Sequence, residues 1–129
     1  MDYRLEVVVV PVSDVDRAKE FYADKMGFNV DHDSHPAEGV RVVQLTPPGS
    51  ACSIAIGTGL APMEPGSVKG LQLVVDDMDT AYAELSGRGV ELGDVQTLGP
   101  SESSGFKFVF FSDPDGNGWA VQEIREDQR

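Results

Sequence analysis

The chain has 129 residues, 40% hydrophobic and 25% charged, a balance that predicts one compact domain with a sizeable core. Its 10 Lys and Arg against 22 Asp and Glu give a net charge of −12, which argues against nucleic acid and anionic membranes, whose phosphates need clustered basic side chains. The single cysteine, Cys52, excludes an internal disulfide and a cysteine-based zinc cluster.

The opening MDYRLEVVVV is not expected to act as a signal peptide, because Asp2 and Glu6 interrupt it and no small-residue cleavage site follows. No apolar run approaches membrane-spanning length, so a cytoplasmic protein is predicted. The segment VPVSDVDRAKEFYADKMGFNV then reads as strand, cap, helix, glycine and strand. Ser13 or Asp14 can cap a helix whose apolar stripe is Val15, Ala18, Phe21, Tyr22 and Met26, and Gly27 supplies a left-handed stop. Residues His32 to Gly39 read as a polar loop, and both histidines, His32 and His35, as solvated loop residues. Gln44 sits in a strand of Val and Leu, either bonded to a neighbouring strand or presented to a cleft. LTPPGSACSIAI places a proline-glycine turn between two strands, with Cys52 facing away from any cleft. Thr58 to Ser67, TGLAPMEPGS, has linker composition.

The second half repeats the first. LVVDDMDTAYAELSGRGVEL matches the earlier strand-helix-strand segment at an offset of 63, aligning Asp14 with Asp77 and Ala18 with Ala81. Asp76 or Asp77 caps this helix, whose stripe is Met78, Ala81, Tyr82 and Leu85. Residues Gln96 to Gly105 read as a polar loop. SDPDGNGWAVQE then matches LTPPGSACSIAI at an offset of 67. The predicted class is α+β: two tandem β-α-β-β-β modules forming a curved mixed sheet around a cleft, with the helices outside. The expected organisation is one domain, 1–129, with module one at 1–57, a linker at 58–68, module two at 69–125 and a tail at 126–129.

PVSDVDRAKEFYADKMGF and FFSDPDGNGW, set in this duplicated pattern, resemble the vicinal oxygen chelate superfamily. That superfamily holds lactoylglutathione lyase, bleomycin-binding resistance proteins, fosfomycin-modifying enzymes and extradiol dioxygenases. The resemblance covers nearly the whole chain, but its motifs are capping and turn signatures that say little about chemistry. It implies four strand positions that hold metal ligands in the enzymes, and in this chain they are Val7, Ser53, Gly70 and Ala120. None is an ordinary ligand for a divalent ion. Slipping the alignment by one residue brings up Glu6, Ile54, Leu71 and Val121, which does not restore a site. Gln72 and Gln122 each lie two residues past a lost position, on the same face, and suit an organic ligand.

The expected cleft therefore comprises Val7, Val9, Gln44, Ser53, Gly70, Gln72, Phe110, Ala120 and Gln122. Which of Phe106, Phe108, Phe110 and Phe111 face it stays open. Trp119 points away, toward a helix or another subunit. Glu6 and Glu123 point outward, as edge protection or as intersubunit contacts. The resemblance implies a homodimer that binds a small molecule in the manner of the bleomycin-binding proteins; the four side chains predict that it is free of metal and cofactor, and the net charge of −12 predicts a neutral or cationic ligand. The ligand expected from the resemblance is a natural product or an antibiotic, sequestered unaltered. The alternatives are a lyase, isomerase or dioxygenase that works without metal or with unusual ligands, and a structural or regulatory partner with an empty cleft.

Overall fold

A computed structural model describes residues 1–101 and 105–129. Its strands are β1 (Val7–Val9), β2 (Asn29–Ala37), β3 (Val40–Thr46), β4 (Ser53–Thr58), β5 (Leu71–Val75), β6 (Gln96–Leu98), β7 (Phe106–Ser112) and β8 (Gly118–Glu123). Helix α1 (Val15–Glu20) continues into a π-helical turn (Phe21–Lys25), and α2 spans Met78–Gly87. The order β-α-β-β-β occurs twice, giving two four-stranded mixed sheets ordered β1-β4-β3-β2 and β5-β8-β7-β6. In each, the first and last strands of the module run parallel and the other pairings are antiparallel. The chain is an α+β protein of two modules.

Local chemistry sets the helix starts. Asp14 caps α1 by accepting from the Arg17 backbone N–H at 3.1 Å, and Asp77 caps α2 by accepting from those of Asp79 and Thr80. The stripe of α1 runs farther than an α-helix carries it. Met26 N–H donates to the Phe21 carbonyl, a closure over five residues that widens the turn. Phe21, Tyr22 and Met26 are consequently all buried. Gly27 then turns the chain with φ +74°, as the sequence predicts.

One core joins the modules. Val43, Leu45, Ile54 and Ile56 of the first sheet meet Val109, Phe111, Trp119 and Val121 of the second, with Tyr22 of the π turn and Met78 and Leu85 of α2. The Tyr22 and Trp119 rings lie 5.7 Å apart, and Phe111 stacks on Trp119 at 6.0 Å. Trp119 thus packs inside the chain, against the first helical segment.

Two predicted loops contain strand. The His32–Gly39 segment belongs largely to β2, because β3 provides its backbone partners; as an outer strand, β2 also tolerates Pro36, which lacks an N–H. The Gln96–Gly105 segment starts with β6, paired to β7; residues 102–104 of that predicted loop lie outside the described residues.

Candidate functional site

Strand alternation gives each sheet a face turned away from the core. On the first sheet, Leu45 and Val43 are buried while Gln44 is half-exposed between them, and Ile54 and Ile56 fill the core. Val7, Val9, Gln44 and Ser53 therefore share the opposite face, with Val7 beside Ser53 and Gln44 beside Ala55 in the strand register. On the second sheet, Gln72, Phe110, Ala120 and Gln122 share the corresponding face, with Ala120 between Gln72 and Phe110. Gly70 precedes β5 rather than lying in it, and its φ of +89° is a backbone conformation that favours glycine.

The second face is aromatic and amide in character. Phe108 and Phe110 stack with centroids 6.2 Å apart and planes 7° from parallel, and Phe110 remains 45% exposed. Phe111 belongs to the core instead, and Phe106 lies half-buried opposite Leu98. The Gln72 side-chain N–H donates to the Gln122 side-chain carbonyl, leaving each amide with further hydrogen-bonding capacity.

The first face is more polar than expected, because β2 carries an irregularity between Val30, which pairs with Leu45, and His32, which pairs with Gln44. The extra residue, Asp31, breaks the alternation, and the register brings His32 beside Gln44. The His32 ring Nε2 lies 3.2 Å from the Gln44 amide oxygen, so His32 is part of a sheet face and not a free loop residue. Asp31 accepts from Thr46 Oγ1 and from Asn29 Nδ2 (2.9 Å), and Thr46 Oγ1 lies 2.6 Å from Ser53 Oγ. The Thr46 hydrogen bond, then that of Asn29, holds the Asp31 carboxyl below its usual range.

Glu123 takes a different role from the outward one read in the sequence. It is buried, accepts from the Met78 backbone N–H at 2.8 Å at the start of α2, and pairs with Arg125 at 3.0 Å. An acidic residue near a helix N-terminus is a recoverable signal only once β8 and α2 are known to meet.

A groove of about 440 Å3 runs along β5 and α2, walled on the other side by Met26, Phe28, Pro47 and Pro48. Of the expected cleft residues it takes in Gln72 alone. A smaller depression of about 210 Å3 takes in Val9.

The family model "Glyoxalase/Bleomycin resistance protein/Dioxygenase superfamily" matches residues 4–121. The chain belongs to this superfamily. Its solved relatives include TnmS3, an antibiotic-binding protein from Streptomyces sp. CB03234, at 33% identity, 95% coverage of this chain and 96% of that one, and a TM-score of 0.80. A superfamily member from Sphaerobacter thermophilus is 29% identical, covers 95% and 98% of the two chains, and gives a TM-score of 0.81. A glyoxylase-like domain-containing protein of Didymella fabae is 30% identical over 119 residues, 88% of each chain.

The metal centre of the superfamily's enzymes does not fit the corresponding residues here. Val7 and Ala120 have hydrocarbon side chains, Gly70 has none, and the Ser53 hydroxyl is engaged with Thr46. Among the described residues, no group of three or more His, Cys, Asp or Glu side chains is placed to hold a metal ion. No helix among them is long and apolar enough to cross a membrane.

Proposed function

We propose that this superfamily member binds a planar natural product or antibiotic, without a metal ion, as a cytoplasmic homodimer. The observation that carries the reading is the second sheet's open face. Two parallel phenylalanine rings on β7 lie beside β8, Phe110 opposite Ala120 and Phe108 opposite Gln122, and Gln122 is linked to the Gln72 amide on the far side. A flat ligand lies on the aromatic rings, and the amides hydrogen-bond its carbonyl or hydroxyl edge. The antibiotic-binding TnmS3, similar across almost all of its length, supports a binding role. The charge of −12 favours a neutral or cationic compound.

Two features support the homodimer. Strands β1 and β5 are outer strands of their sheets, and the exposed Tyr3 and Leu5 extend the alternation of β1 toward the N-terminus. In a dimer that pairs such edges, a first-sheet face of one copy completes the cleft with a second-sheet face of the other.

Calorimetry against aromatic natural products and cationic antibiotics tests the reading. Ala120→Phe is expected to abolish binding and leave the fold intact, and unaltered recovery of the bound compound identifies sequestration. Equal binding by Ala120→Phe places the cleft elsewhere. One tightly held metal ion per chain in elemental analysis of untagged protein overturns the metal-free state.

A second reading has one observation in its favour. Asp31 and His32 bring titratable groups to the first face, which metal-free acid–base catalysis needs. Conversion of a bound compound in a turnover assay selects it.

A further inference from the structure

The two open faces differ in chemistry. The second offers rings and amides. The first offers a carboxylate and a hydroxyl chain beside Val7 and Val9.

The protons of that chain have a direction. A carboxylate only accepts, so the Thr46 hydroxyl donates to Asp31. Its one proton is then committed, and the buried Ser53 hydroxyl donates to Thr46 at 2.6 Å. Asn29 donates to the other oxygen of Asp31. Two donors, Thr46 and Asn29, thus converge on one carboxylate, and Ser53 stands in series behind Thr46. That carboxylate is exposed and lies at the irregularity in β2; among the described residues it hydrogen-bonds to no Lys or Arg, and the neighbouring His32 is the basic group that acts on its charge. The contrast with Asp33, two residues on, is informative. Asp33 carries its charge against Lys19 at 2.9 Å and Arg41 at 2.8 Å. Both carboxylates on this strand are held by hydrogen bonds, and of the two only Asp33 is paired with Lys and Arg.

We infer that Asp31 is the anchor for a protonated amine on the ligand, with Thr46 and Ser53 as positioning residues behind it. The inference rests on the proposed cleft, in which the ring system lies on the phenylalanine face while its basic substituent reaches the first sheet. Each Asp31 oxygen accepts one internal hydrogen bond and has lone-pair capacity left for N–H donors. An ammonium group completes the chain. A carboxylate in the same place meets like charge with no available proton.

The test uses three fluorescent probes on one scaffold: anthracene bearing an aminomethyl, a hydroxymethyl or a carboxylate group at the same ring position. The aminomethyl probe is expected to bind about tenfold tighter than the hydroxymethyl probe, with the carboxylate weakest. Asp31→Asn should remove most of that preference while weakening the hydroxymethyl probe far less. Thr46→Val, which leaves the charge in place but removes one of its two donors, should give an intermediate loss. Asp24→Asn makes the same change in net charge on an exposed residue of the π turn, and should leave the preference intact. An amine preference that survives Asp31→Asn, or that falls equally in Asp24→Asn, overturns the anchor while the cleft stands. Failure of all three probes to bind the parent protein overturns the cleft reading and the anchor with it.

Discussion

The DPDGN motif shows at single residues why a strong sequence signature carried no chemistry. Asp113 accepts from the Tyr22 hydroxyl at 2.7 Å, the Asn117 amide at 2.8 Å, and the backbone N–H groups of Asp115 and Asn117. Asn117, fully buried, donates to the Pro11 carbonyl and accepts from the Val68 N–H. The motif thus ties the β7–β8 turn to the first module and to the linker. Burial, with Asp113 alongside, raises the Tyr22 pKa far above its usual value, so its hydroxyl stays a donor throughout the physiological range. That oxygen also accepts from Trp119 Nε1 at 2.9 Å. Tyr22→Phe therefore leaves a buried indole N–H without its partner and is expected to cost about 1–3 kcal/mol in urea unfolding. Trp119→Phe should remove part of that penalty when combined with it, a non-additivity that a double-mutant cycle reads directly.

At the scale of elements, helix caps and glycine stops were legible because they are set within a few residues. The π turn and the irregularity in β2 were not. The first forms because Phe21, Tyr22 and Met26 all have core to fill. The second becomes visible only when β2 is laid against β3. A charged cluster outside the core links α1 to these strands: Asp33 accepts from Lys19 and from Arg41 Nε and Nη2, and Arg41 Nη1 donates to Asp16. The Arg41 hydrogen bonds first, then that of Lys19, hold the Asp33 carboxyl well below the usual range. Its folded pKa lies below its unfolded value. The stability it adds is thus present above the ordinary carboxylate range and is lost as pH falls through that range toward the folded pKa. Asp33→Asn should accordingly lower the urea midpoint at pH 7, and the gap from the parent protein should narrow progressively in acid. A gap that widens in acid contradicts the assignment.

For the whole molecule, the linker shows how closely the halves are fitted. At Gly66, with φ +82°, a Cβ would stand 2.1 Å from the Asp115 carbonyl oxygen. Asp115 in turn accepts from the Ser13 hydroxyl and pairs with Arg17 at 3.2 Å, so the two family motifs touch each other. The modules meet through their core sides, and β1 and β5 each form an outer edge of a sheet, the edges that the proposed dimer would use. Sedimentation at micromolar concentration is expected to show a dimer. Leu5→Asp should shift it toward monomer. Because each copy carries −12, association should strengthen as salt rises. A monomer at every salt concentration overturns the shared cleft.

The sequence alone determined the duplicated modules, the helix caps, the left-handed Gly27 and the superfamily. These follow from periodicity and from side-chain identity. It also indicated that Gln72 and Gln122 share a face, because alternation within a strand is local. Tertiary structure decided which phenylalanines face outward, moved Glu123 to the start of α2, and brought Asp31 and His32 to the face of Gln44. Each depends on the register between strands distant in sequence. One inserted residue reverses the facing of all that follow it, and no local pattern records where the insertion falls.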